Sequence, residues 1–289
     1  MRVPAAFALA TFLLPQIITS YPPSSAGGLD INGLTAEPLI NPFDDPLPFY
    51  DSSATANRKL LFGDLGTDVG RTFWRVETDY IGATPVWTGI SVTGTGAGCG
   101  TVAAEVGRLG LRQCTTGTTA TGRATLTTAD FINSTVYQVL LSSGRVRYTS
   151  WVRFPTLSDG TNTYIGCFGF GNSTGCGHTD AVEFRYTDSV NSGKWRGVCT
   201  EDSASTNVED TGAAVAAATW YRLDFEVNSG ATSVEFFVNG TSIGTCASNI
   251  PDSNDPLTYI NGIIKSVGLT ARTVTVDGIR QYGEFSSTR

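Results

Sequence analysis

The chain has 289 residues, of which 40% are apolar and 16% are charged, so one large domain or two average ones can form a core without a metal ion. The formal net charge of −7 disfavours a nucleic-acid partner, because an acidic surface repels phosphate backbones. With 33 glycines and a single methionine, the composition favours strands and turns over helices.

The first residues, MRVPAAFALATFLLPQIITSYPPSSA, contain a basic Arg2, an apolar stretch from Ala5 to Leu14 and small residues after it. This outline is typical of a secretory signal peptide, and the apolar stretch is too short to span a bilayer. However, Pro4 and Pro15 bracket that stretch, and no A-x-A cleavage site follows. An uncleaved N-terminal arm and a cleaved leader therefore both stay open.

Six of the twelve prolines fall within residues 21–48. Proline fixes φ and removes a backbone donor, so this region is predicted to be extended rather than helical. Apolar residues recur between the prolines, which a purely flexible linker would not need. We therefore predict that residues 1–65 form an extended arm that lies against another protein surface. Its expected contact residues are Leu47, Phe49, Tyr50, Arg58, Lys59, Leu60, Leu61 and Phe62.

Period-two alternation begins near Phe73 and recurs along the rest of the chain. In one example, Val182, Phe184 and Tyr186 alternate with Glu183 and Arg185. The same pattern occurs near residues 73–80, 145–154 and 221–228, with Gly-containing or Asn-containing turn signals between the segments. Each segment is predicted to be a strand with one buried face and one solvent face. Many short strands punctuated in this way favour an all-β antiparallel sandwich.

Residues 219–246 give the sharpest local prediction. Two alternating segments flank the turn at residues 228–231, and Asn239-Gly240 then leads into a third segment that ends at Cys246. Asn and Gly tolerate the positive φ values of a type I′ turn, so three consecutive antiparallel strands are expected. A final strand is predicted from about Thr273 to Tyr282.

The segments W-Y-R-L-D-F-E-V-N and S-V-E-F-F-V-N-G-T resemble the back-sheet meander of concanavalin-like jelly rolls. This group includes legume lectins, laminin G modules and many glucanases. The resemblance covers about residues 70–285 and implies a two-sheet jelly-roll domain over residues 70–289.

The arm also resembles a phrase found near the N-termini of tailed-phage virion proteins. The matching residues are Leu47, Pro48, Tyr50, Asp51, Asn57, Arg58, Lys59, Leu60, Leu61, Asp64 and Leu65. The C-terminal stretch S-V-E-F-F-V-N-G-T…I-I-K-S-V-G-L-T-A-R-T-V-T-V-D-G-I resembles jelly-roll domains of phage tail and fibre proteins. These resemblances imply a virion structural protein that docks onto other virion proteins through its arm, forms a homo-oligomer such as a trimer, and presents the jelly roll to a host-surface glycan. The alternative is a secreted glycan-binding protein with a cleaved leader.

Enzyme motifs are weak in this sequence. Jelly-roll glucanases carry carboxylates as E-x-D-x-E on one strand, and the nearest match, Glu77-Thr78-Asp79, is followed at the third position by Ile81. Asp224 and Glu226 also share a strand face. The sequence contains one histidine, His178, and no G-x-S-x-G motif that would supply a serine nucleophile for it. We therefore predict a non-enzymatic protein without cofactors, and a polysaccharide-degrading enzyme is the less favoured alternative.

The chain has six cysteines, and their spacing matches no zinc motif around His178, so no metal site is predicted. The 99/114 and 167/176 spacings would each close a short loop, and Cys199 and Cys246 would then pair by elimination. The sequence cannot choose among the possible pairings, and small buried thiols are the alternative. The six positions are Cys99, Cys114, Cys167, Cys176, Cys199 and Cys246.

Aromatic residues outside the buried registers are the candidate contacts for a sugar ring or a neighbouring subunit, because an exposed ring can stack on either. These candidates are Trp87, Trp151, Trp195, Trp220 and Phe237.

Overall fold

The computed structural model describes residues 73–78, 88–128, 139–141, 144–252 and 254–284. The predicted arm, residues 1–65, lies outside these ranges, and so does Trp87. The described part consists of strands and loops, with a 3₁₀ turn at Asn191–Gly193 and no α-helix. None of its elements is a helix that could cross a membrane.

The described ranges contain fifteen strands. In chain order they are β1 (Phe73–Thr78), β2 (Thr88–Thr93), β3 (Gly98–Val102), β4 (Leu111–Thr115), β5 (Arg123–Thr128), β6 (Val146–Arg153), β7 (Tyr164–Gly171), β8 (Ala181–Tyr186), β9 (Arg196–Glu201), β10 (Ala204–Glu209), β11 (Trp220–Val227), β12 (Val234–Val238), β13 (Thr241–Cys246), β14 (Thr258–Lys265) and β15 (Thr273–Glu284).

The strands form two antiparallel sheets. The eight-stranded sheet has the order β13-β12-β11-β6-β15-β4-β3, and β1 pairs with the second half of β15. The seven-stranded sheet has the order β10-β9-β8-β7-β14-β5-β2. The predicted all-β, two-sheet jelly-roll sandwich is therefore confirmed.

The local predictions for residues 219–246 are also confirmed. β11, β12 and β13 are consecutive antiparallel strands. Asn239 and Gly240 join the last two with φ values of 53° and 82°, the left-handed conformation that a type I′ turn requires. The predicted final strand corresponds to β15.

The core lies between the sheets and is rich in aromatic rings. Tyr148 of β6 stacks on Phe225 of β11 with ring centroids 4.9 Å apart. Phe184 of β8 meets Phe236 of β12 edge-to-face at 5.2 Å, which joins the two sheets. Such pairs add to the apolar area that each ring removes from water.

A polar bridge also crosses this core. The hydroxyl of Tyr148 donates to Oδ1 of Asn261 on β14, and Nδ2 of Asn261 donates to Oγ of Ser150 at 2.9 Å. All three residues are fully or almost fully buried. Buried polar groups are costly unless they are hydrogen-bonded, so this bridge fixes how the two sheets align.

Two sequence predictions about exposure are wrong. The strand faces expected to be solvated include Glu183 and Asp224, which are 0% and 1% exposed. Each keeps a salt bridge that makes its burial tolerable, to Arg185 and Arg222 respectively. Trp195, a candidate sugar contact, is also buried at 1% exposure, because it packs against the rings of the core and cannot stack on a ligand.

The cysteines divide into two disulfides and two thiols. Cys99 is bonded to Cys114 across β3 and β4, and Cys167 of β7 is bonded to Cys176 in the following loop. Cys199 of β9 and Cys246 of β13 are buried thiols that contact each other between the sheets. Burial raises the pKa of the Cys199 thiol well above its ordinary value.

Candidate functional site

The outer face of the seven-stranded sheet carries a cluster of charged side chains. In β8, Val182 and Phe184 point into the core, so Glu183 and Arg185 lie on the opposite face. Arg196 of β9 is the direct cross-strand partner of Arg185. The alternation of strand side chains thus brings two arginines and one glutamate together on this face.

Residues 172–180, which join β7 to β8, fold back over the same outer face. The Cys167–Cys176 disulfide ties this loop to β7. The backbone N–H of Asn172 donates to the carbonyl of Asp180 at 3.1 Å and closes the base of the loop. At the far side, the hydroxyl of Thr125 on β5 donates to the carbonyl of Thr174 at 3.0 Å. The loop is therefore held at several points and is a rigid platform.

His178 lies beneath this loop. Its ring covers Gly171, where an added β-carbon would come within 2.6 Å of Nδ1. Its side chain is fully buried, with Nε2 at 3.4 Å from Oε2 of Glu183. Its other ring nitrogen, Nδ1, lies 3.0 Å from Oγ of Ser173. Ser173 is only partly buried, so the series Ser173–His178–Glu183 runs from the protein surface into the interior.

Glu183 is held by both neighbours. Arg185 donates to its Oε1 from Nε at 2.7 Å and approaches the same oxygen with Nη2 at 2.6 Å. Burial alone would raise the pKa of this carboxyl, but the His178 and Arg185 charges and hydrogen bonds outweigh burial and hold it below its ordinary value. Glu183 is therefore ionised at neutral pH.

The cluster has more basic groups than acidic groups. Arg196 is partly buried and, within the described ranges, makes no ion pair. Burial and the adjacent Arg185 charge lower the pKa of Arg196. Arg123 of β5 lies at the other side of the loop, with Nη1 3.6 Å from the position of a β-carbon on Gly175. Like charges directly opposite each other on neighbouring strands are unfavourable, so this face is suited to an anionic or strongly polar ligand.

The outer face of the eight-stranded sheet differs from this cluster. It carries Trp151, Trp220 and Phe237, all partly buried. The guanidinium carbons of Arg108 and Arg153 lie 4.1 Å and 4.7 Å from the centre of the Trp220 ring. That of Arg280 lies 5.1 Å from the Trp151 ring. The two tryptophan rings already have cationic partners, which reduces the ring surface that a sugar could cover.

Carboxylates on this second face are paired with arginines. The ion pairs are Arg108–Asp277, Arg145–Glu226, Arg153–Glu105, Arg222–Asp224 and Arg280–Glu77. Glu77 and the Asp224/Glu226 pair, considered from sequence as glycosidase carboxylates, are thus charge-compensated, and Asp79 lies outside the described residues.

Two side-chain groups have the composition of a metal site. The first is Cys167, His178 and Glu183, but Cys167 is bonded to Cys176 and offers no thiolate. The second is Glu201, Asp252 and Asp255. Burial and neighbouring acidic charges raise the pKa of Glu201 and of Asp255. Sequence reasoning missed this second group because Glu201 precedes Asp252 by 51 residues and the three share no motif.

Ser173, His178 and Glu183 were not singled out together from the sequence either. Each follows the previous one by five residues, a spacing that matches no known motif and that brings the side chains together only because the loop folds back over the sheet. The available signal was the Cys167–Cys176 pair, which encloses Ser173 and ends two residues before His178.

Known structures share this fold. The Shewanella oneidensis MR-1 protein SO2946, described as of unknown function, is 18% identical; the match covers 78% of this chain and 92% of that one, with a TM-score of 0.52. A Bacillus licheniformis β-glucanase is 12% identical over 72% of this chain and 97% of its own, with a TM-score of 0.48. An endo-β-1,4-glucuronan lyase from the fungus Trichoderma reesei is 14% identical over 72% and 94%, with a TM-score of 0.47. At 18% identity, the likeness to the SO2946 protein is one of fold.

A comparison with curated proteins finds no match. Among protein families, the one described as SO2946-like, C-terminal domain, matches residues 107–277. This match spans more than half of the chain and extends from the loop after β3 into β15, so it includes the whole charged cluster. The chain therefore belongs to the SO2946-like C-terminal domain family.

Proposed function

We propose that this domain binds an acidic glycan at the outer face of the seven-stranded sheet. The observation that supports this proposal is the cross-strand Arg185–Arg196 pair, which lies beside His178 on one face of an otherwise acidic chain. A planar guanidinium can bind a carboxylate through two parallel hydrogen bonds. Arg196 lies opposite the exposed Glu209 of β10 but is in no ion pair among the described residues. A uronate carboxylate would bind between Arg185 and Arg196.

Charge balance favours this face over the opposite one. Five arginines of the eight-stranded sheet are in ion pairs, whereas the seven-stranded face has two arginines directly opposite each other, with Glu183 bound to Arg185. A carboxylate bound between Arg185 and Arg196 would relieve their mutual repulsion. Hydrogen bonds to charged groups contribute about 1.5–3 kcal/mol each, which is enough for specific recognition of one sugar unit.

Gel-retardation electrophoresis with soluble polysaccharides tests this proposal. The protein should be retarded by polygalacturonate, a polyuronate, and not by dextran, which is neutral. Retardation should weaken as salt is raised from about 0.05 to 0.5 M, because the contact is between charges in partial contact with water. Equal retardation by dextran, or none by either polymer, would contradict acidic-glycan binding.

A second proposal concerns the context in which the domain acts. The resemblance of residues 47–65 to virion arms supports a protein that docks onto a particle through Leu47, Phe49 and Tyr50 and their neighbours, as a homo-oligomer that presents the jelly roll. Burial of six apolar side chains of the arm would contribute roughly 10 kcal/mol before ordering costs. These are Leu47, Phe49, Tyr50, Leu60, Leu61 and Phe62. Deleting residues 1–65 should leave a folded β-domain that no longer joins particles.

The secreted alternative makes a different prediction about the mature chain. Intact-mass measurement of natural protein should give a start at Met1 or Arg2 if the arm is retained. A start near Tyr21 would instead indicate a cleaved leader and a secreted glycan-binding protein.

A further inference from the structure

We propose that Ser173, His178 and Glu183 form an acyl-transfer triad, with the Ser173 hydroxyl as the nucleophile and carboxylic esters, such as O-acyl groups on a glycan, as the substrate class. Ester hydrolysis by this triad does not depend on the proposed glycan binding. Only the identity of the leaving alcohol, a glycan hydroxyl, rests on that proposed function.

The order and distances of the three groups support this activity. A serine is activated when a base accepts its proton and a third group orients that base. Here Oγ of Ser173 lies 3.0 Å from Nδ1 of His178, and Nε2 of His178 lies 3.4 Å from Oε2 of Glu183. Among the described residues, Nε2 and Oε2 are both buried without a hydrogen-bond partner, so each is the nearest polar group available to the other. Such contacts tighten when a substrate excludes water.

Glu183 determines which tautomer His178 adopts. Neighbouring charges outweigh burial and hold the pKa of Glu183 below the ordinary value, and the ion pair with Arg185 is present also when His178 is neutral. An ionised Oε2 favours the tautomer with the proton on Nε2, which leaves the lone pair of Nδ1 directed at the Ser173 hydroxyl. The same carboxylate would stabilise the imidazolium once His178 takes the serine proton.

The loop gives the triad its rigidity. The disulfide at Cys176 and the hydrogen bond between Thr125 and Thr174 hold the segment that contains Ser173. The absence of a side chain at Gly171 lets the His178 ring lie flat against β7. A nucleophile supported in this way keeps its geometry without having to order a mobile segment.

The reaction proceeds in two balanced steps. In the first step, Oγ of Ser173 attacks the ester carbonyl and forms a new O–C bond, while the serine proton moves to Nδ1 of His178. The C–O bond to the alcohol then breaks, and His178 gives this proton to the leaving alcohol. Water next attacks the acyl-serine, gives its proton to Nδ1, and releases the carboxylic acid as Oγ recovers the proton. We assign to Arg123, whose Nη1 lies 3.6 Å from the position of a β-carbon on Gly175, the role of offsetting negative charge on the carbonyl oxygen.

A fluorophosphonate probe and p-nitrophenyl acetate test this triad on the full chain. The wild-type protein should gain one phosphonyl group, mapped by peptide mass spectrometry to Ser173, and should hydrolyse the ester. Ser173→Ala should abolish labelling and lower kcat/KM at least 100-fold. The control Ser229→Ala removes an exposed turn hydroxyl and should change neither readout.

The double variant separates a triad from a merely structural contact. If Ser173 and His178 act as a unit, Ser173→Ala combined with His178→Gln should be no slower than Ser173→Ala alone. A wild-type protein without the label, a label on another residue, or a Ser173→Ala variant with full kcat/KM would overturn the proposal. A wild-type protein that hydrolyses the ester but does not bind polygalacturonate would overturn the binding proposal and support the triad.

Discussion

The imidazole ring of His178 lies directly against the backbone of Gly171, so close that a β-carbon on Gly171 would be 2.6 Å from Nδ1. This contact is what allows a histidine from the loop to reach Glu183 on the neighbouring strand. The packing of one glycine therefore determines the geometry of the charged cluster.

Gly171→Ala is expected to displace the His178 ring and to destabilise the domain by about 1–3 kcal/mol, since the added methyl overpacks a buried site. Gly177→Ala, in the same loop, is the matched control because nothing lies within 4 Å of its added β-carbon. Urea unfolding of both variants measures the difference. Equal stabilities would show that the ring is free to move away.

Glu183→Gln is expected to cost about 3–5 kcal/mol at pH 7, because it leaves Arg185 and His178 without their buried counter-charge. The folded-state pKa of Glu183 is lowered from 4.5, so its stabilising contribution is complete above that pH and is lost as the pH falls through the folded-state pKa. The difference in unfolding free energy between the wild-type protein and the variant should therefore decrease below about pH 4.5. Thermal unfolding between pH 3 and 7, with exposed Glu235→Gln on the other sheet as the control, measures this difference in stability. A difference that is constant over this range would contradict the assigned pKa direction.

Cys199 and Cys246 are expected to resist alkylation while the protein is folded. Both are 0% exposed, and burial raises the pKa of Cys199, so little reactive thiolate is available. Iodoacetamide without a reducing agent should modify neither cysteine in the native protein and both after unfolding, as read by mass spectrometry. Protection of both residues even in the unfolded, unreduced chain would show that they form a third disulfide.

Tyr148→Phe is expected to destabilise the domain by about 1–3 kcal/mol, because Oδ1 of Asn261 would lose its donor inside the core. Phe225→Leu, which alters the stacked partner ring, serves as an apolar comparison at the same place. Denaturant midpoints give both values. A Tyr148→Phe variant as stable as the wild-type protein would mean that water satisfies Asn261.

Much of the fold follows from local rules that the sequence displays. Alternation predicts β6, β8 and β11, and the Asn239-Gly240 pair predicts the hairpin between β12 and β13, because both depend on residues close together in the chain. Pairing between distant segments, such as β14 between β7 and β5, depends on contacts far apart in sequence and was not predicted.

The site was harder to predict for a related reason. Alternation places Glu183 on the non-core face but cannot show that the loop after β7 covers that face and buries the carboxylate. The same limit applies to Trp195, which follows the 3₁₀ turn rather than an alternating strand, and which packs into the core through its tertiary contacts.

The most direct test of acidic-glycan binding compares two arginines on opposite sheets. Arg196→Ala removes a positive charge from the proposed site, and Arg280→Ala removes the same charge beside Trp151 on the other face. Isothermal titration with polygalacturonate oligomers should show at least a tenfold loss of affinity for Arg196→Ala and no change for Arg280→Ala, since one lost charged hydrogen bond contributes about 1.5–3 kcal/mol. Unchanged binding by Arg196→Ala, or a loss confined to Arg280→Ala, would contradict the assignment of the site to the seven-stranded sheet.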